Sequence, residues 1–293
     1  CVLVCLTVML FVLFVGVILL GPVRRTKFFA AFFVLAVGML FTGNLHLTSE
    51  DRRYHTDFDL VLVQPNIPQV EKWAPDRLRF NIDTLVRLSQ QSCLQPQLGV
   101  TRRPKVYIWP EAAVPYDIQP QSAFAKYITQ YLEGGDYLIV GAPRKESEKE
   151  KEVERFHNSL YALDHEGQVL SFYDKSHLVP FGEYVPYRRF MPDFVEQLAP
   201  GVGEFSPGPG LKTMRIDNLP AFSPLICYEA IFTQEVLRGD DRPQWLLNLT
   251  NDGWYLDSAG LYQHLHLTRM RAIEEGMPLV RVVYRGVSAI FDG

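Results

Sequence analysis

The chain has 293 residues, 47% of them hydrophobic, and a formal net charge of -4. This length suffices for one large domain with a well-buried core. The slight negative charge, and the scatter of lysine and arginine along the chain, argue against a nucleic-acid-binding protein. The four cysteines lack CxxC or Cys/His spacing, which argues against a zinc site and a disulfide framework. We therefore expect neither a metal nor another cofactor.

Two apolar runs at the start of the chain predict membrane helices. Residues 1–20 contain no charged side chain, and about 20 apolar residues suffice to cross a hydrocarbon core ~30 Å thick. A second apolar run occupies residues 28–45. We expect a transmembrane helical hairpin at 1–45, followed by a juxtamembrane linker at 46–58.

The loop between the two apolar runs predicts the orientation of the hairpin. It contains Arg24, Arg25 and Lys27 and no acidic residue. Basic loops tend to remain in the cytoplasm, so the chain after Leu45 is expected to face the periplasm of a bacterial inner membrane. The chain starts at Cys1 rather than at a methionine, and we interpret it as part of a longer multi-pass membrane protein.

From residue 59 onward, short strand-forming runs alternate with helical segments. Compact apolar runs predict strands at 60–63, 106–108 and 137–140, and helical spacing predicts helices at 76–88 and 121–132. This alternation is typical of a layered α/β domain.

The second half of the chain predicts a sheet of mixed pairing. We expect a hairpin at 159–163 and 169–173, helices at about 229–237 and 260–275, and strands at 245–249, 279–283 and 287–291. The charged run at 145–155 is expected to be a solvated loop. The proline-rich, apolar segment 184–200 is expected to be a lid or a surface against an apolar phase.

Three reactive side chains each follow directly on an apolar run. Glu111 follows residues 106–110, Lys175 follows a Phe-Tyr-Asp sequence, and Cys227 follows a Pro-Leu-Ile sequence. A carboxylate, an amine and a thiol at one end of a sheet can act as general base, stabilising cation and nucleophile. A buried lysine needs a partner, and Glu183 is the nearest acidic residue along the chain.

The position predicted for Cys227 favours reactivity over a purely structural role. A strand that ends at Cys227 and continues into a helix presents the sulfur at the helix N-terminus. There the helix dipole favours a thiolate, and free backbone N–H groups can bind an oxyanion.

Four motifs together resemble a known superfamily. They are Trp-Pro-Glu at 109–111, Tyr-Asp-Lys-Ser-His-Leu-Val-Pro-Phe-Gly-Glu at 173–183, Ile-Cys-Tyr-Glu at 226–229 and Asn-Asp-Gly-Trp-Tyr at 251–255. The chain from about residue 60 to its end resembles the nitrilase superfamily of carbon–nitrogen hydrolases and, within it, the apolipoprotein N-acyltransferase family. The resemblance implies a nitrilase-like four-layer α-β-β-α sandwich at 59–293, truncated at its C-terminal end.

The resemblance also implies a mechanism and a set of site residues. An acyl chain passes from a phospholipid to a cysteine thioester, and then to the N-terminal amine of an S-diacylglyceryl cysteine in a lipoprotein. The implied roles are general base for Glu111, oxyanion stabiliser for Lys175, nucleophile for Cys227, orientation of Lys175 for Glu183, pocket shaping for Tyr228 and Glu229, and contact with the acyl chain or entrance for Trp73.

Two alternatives remain open from the sequence. A membrane-anchored amidase would use the same triad and let water resolve the thioester. A catalytically silent lipid-binding scaffold would keep the fold alone, although the triad positions and Glu183 are all present. The chain departs from the family pattern at Tyr284 and Arg285, where an Asn-Thr or Asn-Asn pair is expected before Gly286.

Overall fold

The structure is a computed structural model that describes residues 11–16, 21–49, 57–93, 102–148, 153–187, 205–239, 241–256 and 258–293. The chain divides into two compact units, Cys1–His55 and Thr56–Gly293.

The first unit contains a long helix. Helix α1 spans Pro22–Ser49, and residues 11–16 are also helical. Most of the first expected membrane helix lies outside the described residues. Within the described parts of the chain, no helix combines the length and the apolar composition needed to cross a membrane.

The second unit begins with a five-stranded sheet in the order β1-β2-β3-β4-β5. Its strands are β1 (Asp59–Leu62), β2 (Lys105–Ile108), β3 (Tyr137–Glu148), β4 (Val153–Asp164) and β5 (Val169–Asp174). Strands β1 to β3 pair in parallel, whereas β3 to β5 pair antiparallel. Helices α2 (Gln69–Lys72) and α3 (Leu78–Cys93) connect β1 to β2, and α4 (Ala123–Thr129) connects β2 to β3.

A four-stranded sheet follows, in the order β6-β7-β8-β9. Its strands are β6 (Phe222–Ile226), β7 (Trp245–Thr250), β8 (Leu279–Val283) and β9 (Ala289–Phe291). The first three pair in parallel, and β9 is antiparallel to β8. Two 3₁₀ helices, η1 (Cys227–Ile231) and η2 (Asp252–Tyr255), follow β6 and β7, and helix α5 spans Ala259–Glu275.

The two sheets pack face to face, with helices on their outer faces. Because side chains alternate along a strand, Ile108 of β2 points into a core shared with Leu247 and Val282 of the second sheet. Its neighbour Tyr107 points the other way, toward Leu85 of α3. The outer face of the second sheet packs against α5 in a third apolar cluster. These clusters establish the α-β-β-α layers expected from the resemblance.

Two of the secondary-structure predictions are wrong. The charged run at 145–155 is not a solvated loop, because β3 extends to Glu148 and β4 begins at Val153. Its charges pair across the two strands, as in the ion pair of Lys145 Nζ with Glu154 Oε1 at 2.6 Å, which cross-strand opposite charges favour.

The helix predicted at 229–237 is also absent, since only the short η1 forms in that stretch of the described chain. The carboxylate of Glu229 accepts a hydrogen bond from the backbone N–H of Ile226 at 2.8 Å. The backbone then becomes extended at Phe232 and left-handed at Gln234, which has a φ of 65°. Neither conformation continues a helix.

The core between the sheets predicts a large cost for truncation. Leu247 is fully buried in it, so we expect Leu247→Ala to lower the free energy of unfolding by about 2–5 kcal/mol. Leu170 is 44% exposed, and Leu170→Ala is the matched control with an expected change of about 0.5 kcal/mol. Urea unfolding of the two variants checks this, and equal losses would contradict the assigned core.

Candidate active site

A single cavity collects most of the residues singled out by the sequence. Its volume is about 630 Å³, within the usual range for small-molecule sites. Its lining includes Trp73, Glu111, Lys175, Glu183, Cys227 and Tyr228. The cavity lies at the edge where β2, β5 and β6 end, since Glu111, Lys175 and Cys227 follow these strands directly or within three residues. Tyr228, Trp254 and Tyr255 provide aromatic walls.

Glu111 is held by a tight turn after β2. Trp109 is fully buried and donates from Nε1 to the Ser89 hydroxyl at 2.9 Å. The following turn lies directly on Gly141 of β3, where an added Cβ would come within 2.7 Å of the Glu111 Cα. A side chain at position 141 would therefore displace Glu111.

Lys175 lies between two carboxylates. Its Nζ is 2.9 Å from Oε2 of Glu183 and 3.6 Å from Oε1 of Glu111. Burial opposes the charge, but Glu183 and Glu111 outweigh it and raise the pKa of Lys175 well above its ordinary value. Lys175 is therefore a permanent cation in the cavity, and the expected partnership of Glu183 with Lys175 is present.

Asn158 of β4 belongs to the same cluster and was missed by the sequence analysis. Its Nδ2 donates to Oε1 of Glu111 at 2.9 Å and to Oε1 of Glu183 at 2.8 Å. An amide and an ammonium thus hold two like-charged carboxylates together. Asn158 stands inside an ordinary strand-forming run, so no local pattern marked it.

Cys227 occupies a strained turn between β6 and η1. Its φ is 51°, a left-handed conformation that costs a residue other than glycine on the order of 1–3 kcal/mol. The side chain is partly exposed and reaches the cavity. Although the residue keeps some exposed surface, its sulfur is largely withdrawn from water, and this desolvation together with Glu111 raises the pKa of the thiol to about 12, against the effect of Lys175.

The thiolate expected from a helix dipole is therefore wrong for the resting protein. The 3₁₀ helix after Cys227 has only five residues, and burial with a neighbouring carboxylate outweighs any dipole. The thiol keeps its proton at neutral pH and needs a base to remove it. Glu111 lines the same cavity and is the carboxylate with the largest electrostatic effect on this thiol.

Glu229 lies behind the cavity wall rather than in it. Its side chain is fully buried. Oε1 accepts from the backbone N–H of Ser176 at 2.8 Å, and Oε2 accepts from the backbone N–H of Ile226 at 2.8 Å. Tyr173 also donates to Oε1 at 2.7 Å. Glu229 thus ties the segment after Lys175 to the strand before Cys227.

A second buried network supports the backbone of the turn at Cys227. His264 of α5 lies 3.3 Å from the carbonyl oxygen of Cys227 through Nε2, and 2.8 Å from Oδ1 of Asp252 through Nδ1. Arg281 of β8 donates to Oδ2 of Asp252 at 2.6 Å. Burial acts against the charge on Asp252, but His264 and Arg281 lower its pKa. Among the described residues, no cluster of His, Cys, Asp or Glu side chains suits a metal.

Lys72 is a second buried amine in the cavity lining. Its Nζ donates to the backbone oxygen of Glu111 at 3.2 Å. It lies over the Tyr284 ring, 4.1 Å from the centroid, and 5.1 Å from the centroid of the Trp73 ring. Burial lowers its pKa to about 8, although Glu111 and Cys227 attract the charge.

Sequence comparison identifies the family of proteins to which this chain belongs. The carbon–nitrogen hydrolase family matches residues 81–292, and the chain belongs to this family. A crystal structure of a carbon-nitrogen hydrolase from Helicobacter pylori G27 superposes with a TM-score of 0.48 at 16% identity, over 70% of this chain and 68% of that one.

More specific similarity is to curated apolipoprotein N-acyltransferases. The chain is 41% identical to that of Rhodopseudomonas palustris over 88% of its own length and 48% of the relative. It is 38% identical to the enzyme of Bradyrhizobium diazoefficiens, over 90% of this chain and 49% of the relative. It is 35% identical to the enzyme of Allorhizobium ampelinum, over 94% of this chain and 52% of the relative. The chain thus spans about half the length of the curated relatives it matches.

The electrostatics predict how the thiol titrates. Since the Glu111 charge raises the pKa of Cys227, Glu111→Gln should lower the thiol pKa from about 12 by about one unit or more. The rate of iodoacetamide alkylation as a function of pH, followed by intact mass, measures this. Glu166→Gln removes an exposed carboxylate and should leave the curve unchanged. An unchanged or raised thiol pKa in Glu111→Gln would count against the arrangement.

The buried carboxylate of Glu229 predicts a loss of stability from an uncharged analogue. Both oxygens of Glu229 accept from backbone N–H groups. In Glu229→Gln one oxygen is replaced by an NH₂ group, which cannot accept, and an unpaired buried donor costs about 1–3 kcal/mol. We expect a loss of that size in urea unfolding, together with slower alkylation of Cys227. Glu166→Gln again provides the exposed control, and a wild-type unfolding midpoint for Glu229→Gln would disprove the bridging role.

Proposed function

We propose that the chain is the catalytic part of an apolipoprotein N-acyltransferase. It would move an acyl chain from a phospholipid, through a thioester on Cys227, to the N-terminal amine of an S-diacylglyceryl cysteine in a lipoprotein. The observation that carries the proposal is the convergence of Glu111, Lys175 and Cys227 on one cavity. The 35–41% sequence identity to curated enzymes of that name also supports the proposal.

In the first half-reaction Cys227 attacks the ester carbonyl of the phospholipid. Glu111 takes the thiol proton as the sulfur–carbon bond forms. The negative charge moves to the carbonyl oxygen, where Lys175 Nζ and the backbone N–H of Tyr228 stabilise it. When the carbon–oxygen bond breaks, Glu111 returns the proton to the departing alkoxide, which leaves as a lysophospholipid. The product is an acyl thioester.

In the second half-reaction the neutral amine of the lipoprotein attacks the thioester carbonyl. Glu111 accepts a proton from the attacking nitrogen, and Lys175 again stabilises the oxyanion. Collapse of the intermediate breaks the carbon–sulfur bond, and the proton passes from Glu111 to the sulfur. Cys227 is regenerated as a thiol and the lipoprotein carries an amide-linked acyl chain.

The proposed substrates require access from a membrane. We infer that residues 1–45 form a transmembrane hairpin in a bacterial inner membrane and that the catalytic domain faces the periplasm. The uncharged run at 1–20 and the basic loop after it support this orientation. Segment 184–200 is expected to border the acyl path, but residues 188–200 lie outside the described residues.

The proposal predicts a covalent adduct on one cysteine. After incubation of the protein with phospholipid vesicles, intact-protein mass spectrometry should show one added acyl chain, absent in Cys227→Ala and retained in Cys93→Ala. Glu111→Gln should slow its formation by roughly 10²–10⁴-fold, the usual contribution of a general base.

The fate of the adduct distinguishes the transferase from its alternatives. Addition of a diacylglyceryl-cysteine peptide should discharge the thioester and give an N-acylated peptide. Rapid loss of the adduct in buffer alone, with release of free fatty acid, would favour a hydrolase. No adduct on the wild-type protein would favour a lipid-binding scaffold and refute the proposal.

A further inference from the structure

Lys72 lies in the described cavity lining and its pKa is strongly lowered. The proposed mechanism gives this side chain no role. Lys72 is the last residue of the short helix α2. Burial of a lysine is energetically costly unless other groups compensate its charge. Within the described residues, its contacts are the Glu111 carbonyl oxygen and the faces of Trp73 and Tyr284. The fold thus keeps an amine inside the reactive cavity.

The contacts fix where this amine lies. The hydrogen bond to the Glu111 carbonyl at 3.2 Å places it at the turn that presents the base. Asn81 of α3 donates to the carbonyl oxygens of Glu71 and Lys72 at 3.0 and 3.1 Å and so anchors the end of α2. The ring of Tyr284, from the end of β8, covers the ammonium, and such contacts favour the charged form.

We propose that Lys72 is a positioning residue of this site, which fixes the backbone of Glu111 and places a positive charge near the Cys227 sulfur that favours the thiolate. The proposal rests on the proposed roles of Glu111 and Cys227. Lys175 is engaged by two carboxylates, whereas Lys72 is paired with a carbonyl and aromatic rings. Glu111 and Cys227 both attract the charge of Lys72, which can act on the sulfur across the cavity that both residues line.

Lys72 differs from Lys175 in its response to pH. The titratable side chains that share the cavity with Lys72 or cover it are Glu111, Lys175, Glu183, Cys227, Tyr228, Tyr255 and Tyr284. Because burial lowers the pKa of Lys72 to about 8, it is a cation below that pH and neutral above it. Lys175 remains charged throughout, since its pKa is raised. The help that Lys72 gives to the thiolate should therefore disappear as pH rises through about 8.

Iodoacetamide alkylation of Cys227 tests this without any acyl substrate. Lys72→Met removes the charge and keeps a side chain of similar length. Lys72→Arg keeps a positive charge that does not titrate in this pH range. Lys126→Met removes an exposed lysine and serves as the control. At pH 6.5–7 the wild-type rate should exceed that of Lys72→Met by about tenfold, the effect of an opposite charge at close range. Toward pH 9.5, well beyond the Lys72 transition at about 8, the two rates should converge.

The other variants separate electrostatics from structural damage. Lys72→Arg should stay close to wild type at low pH and exceed it above pH 8, because only the wild type loses its charge there. A wild-type to Lys72→Met ratio that does not change with pH would indicate damage and overturn the proposal, as would equal rates at every pH. If Lys72→Met fails to fold, the comparison of wild type with Lys72→Arg decides alone.

The same samples distinguish this inference from the proposed function. An acyl adduct on the wild type with a pH-independent alkylation ratio would refute the role of Lys72 and leave the transferase intact. No adduct, with a ratio that converges above pH 8, would refute the transferase and leave the influence of Lys72 on the thiol in place.

Discussion

The site depends on one buried cation held between two carboxylates. Lys175 is almost completely buried, and a buried charge is tolerated only with close partners. Glu111 comes from the end of β2, Glu183 from a turn after β5, and the Asn158 amide from β4 joins them. The strand ends must therefore meet within a few ångströms, which fixes the geometry of the cavity at this edge of the sheet.

Cys227 is tied to this cluster through Glu229. One oxygen of its carboxylate binds the segment after Lys175, and the other binds the backbone of Ile226, directly before Cys227. From the opposite side, His264 contacts the Cys227 carbonyl, and Asp252 and Arg281 support His264. The left-handed backbone at Cys227 is thus held by side chains from other elements, and local sequence preference would not produce it.

The sequence predicted those parts of the protein that depend on local pattern. Glu111 and Lys175 follow β2 and β5, which run in the same direction because two antiparallel pairings separate β5 from β3. Cys227 follows the buried parallel strand β6, and each of these strands appears in the sequence as an apolar run, so a meeting of the three residues at one edge could be expected. The helix predicted at 260–275 is present as Ala259–Glu275, and Gly276 ends it in a left-handed conformation. The charged ribbon of β3 and β4 was mistaken for a loop, because its stability comes from pairing between strands rather than from apolar periodicity.

The parts that escaped prediction depend on contacts across the chain. Asn158 meets Glu111 at a separation of 47 residues, and Lys72 meets the same residue at a separation of 39. Neither lies in a pattern that distinguishes it from an ordinary strand or helix residue. The expectation of a thiolate failed for the same reason, because the helix dipole is a local effect whereas burial and Glu111 act through the assembled cavity.

A protonated resting thiol is consistent with the charges around it. On the proposed assignment, proton transfer from Cys227 to Glu111 moves a negative charge from the carboxylate to the sulfur without changing the net charge of the cavity. The charge then passes to the carbonyl oxygen of the substrate, while Lys175 remains a cation because its pKa is raised. A preorganised cation stabilises each of these positions in turn without reorganisation of its partners. Charge separation in the buried cavity is thereby avoided, and attack can be coupled to the arrival of a carbonyl group.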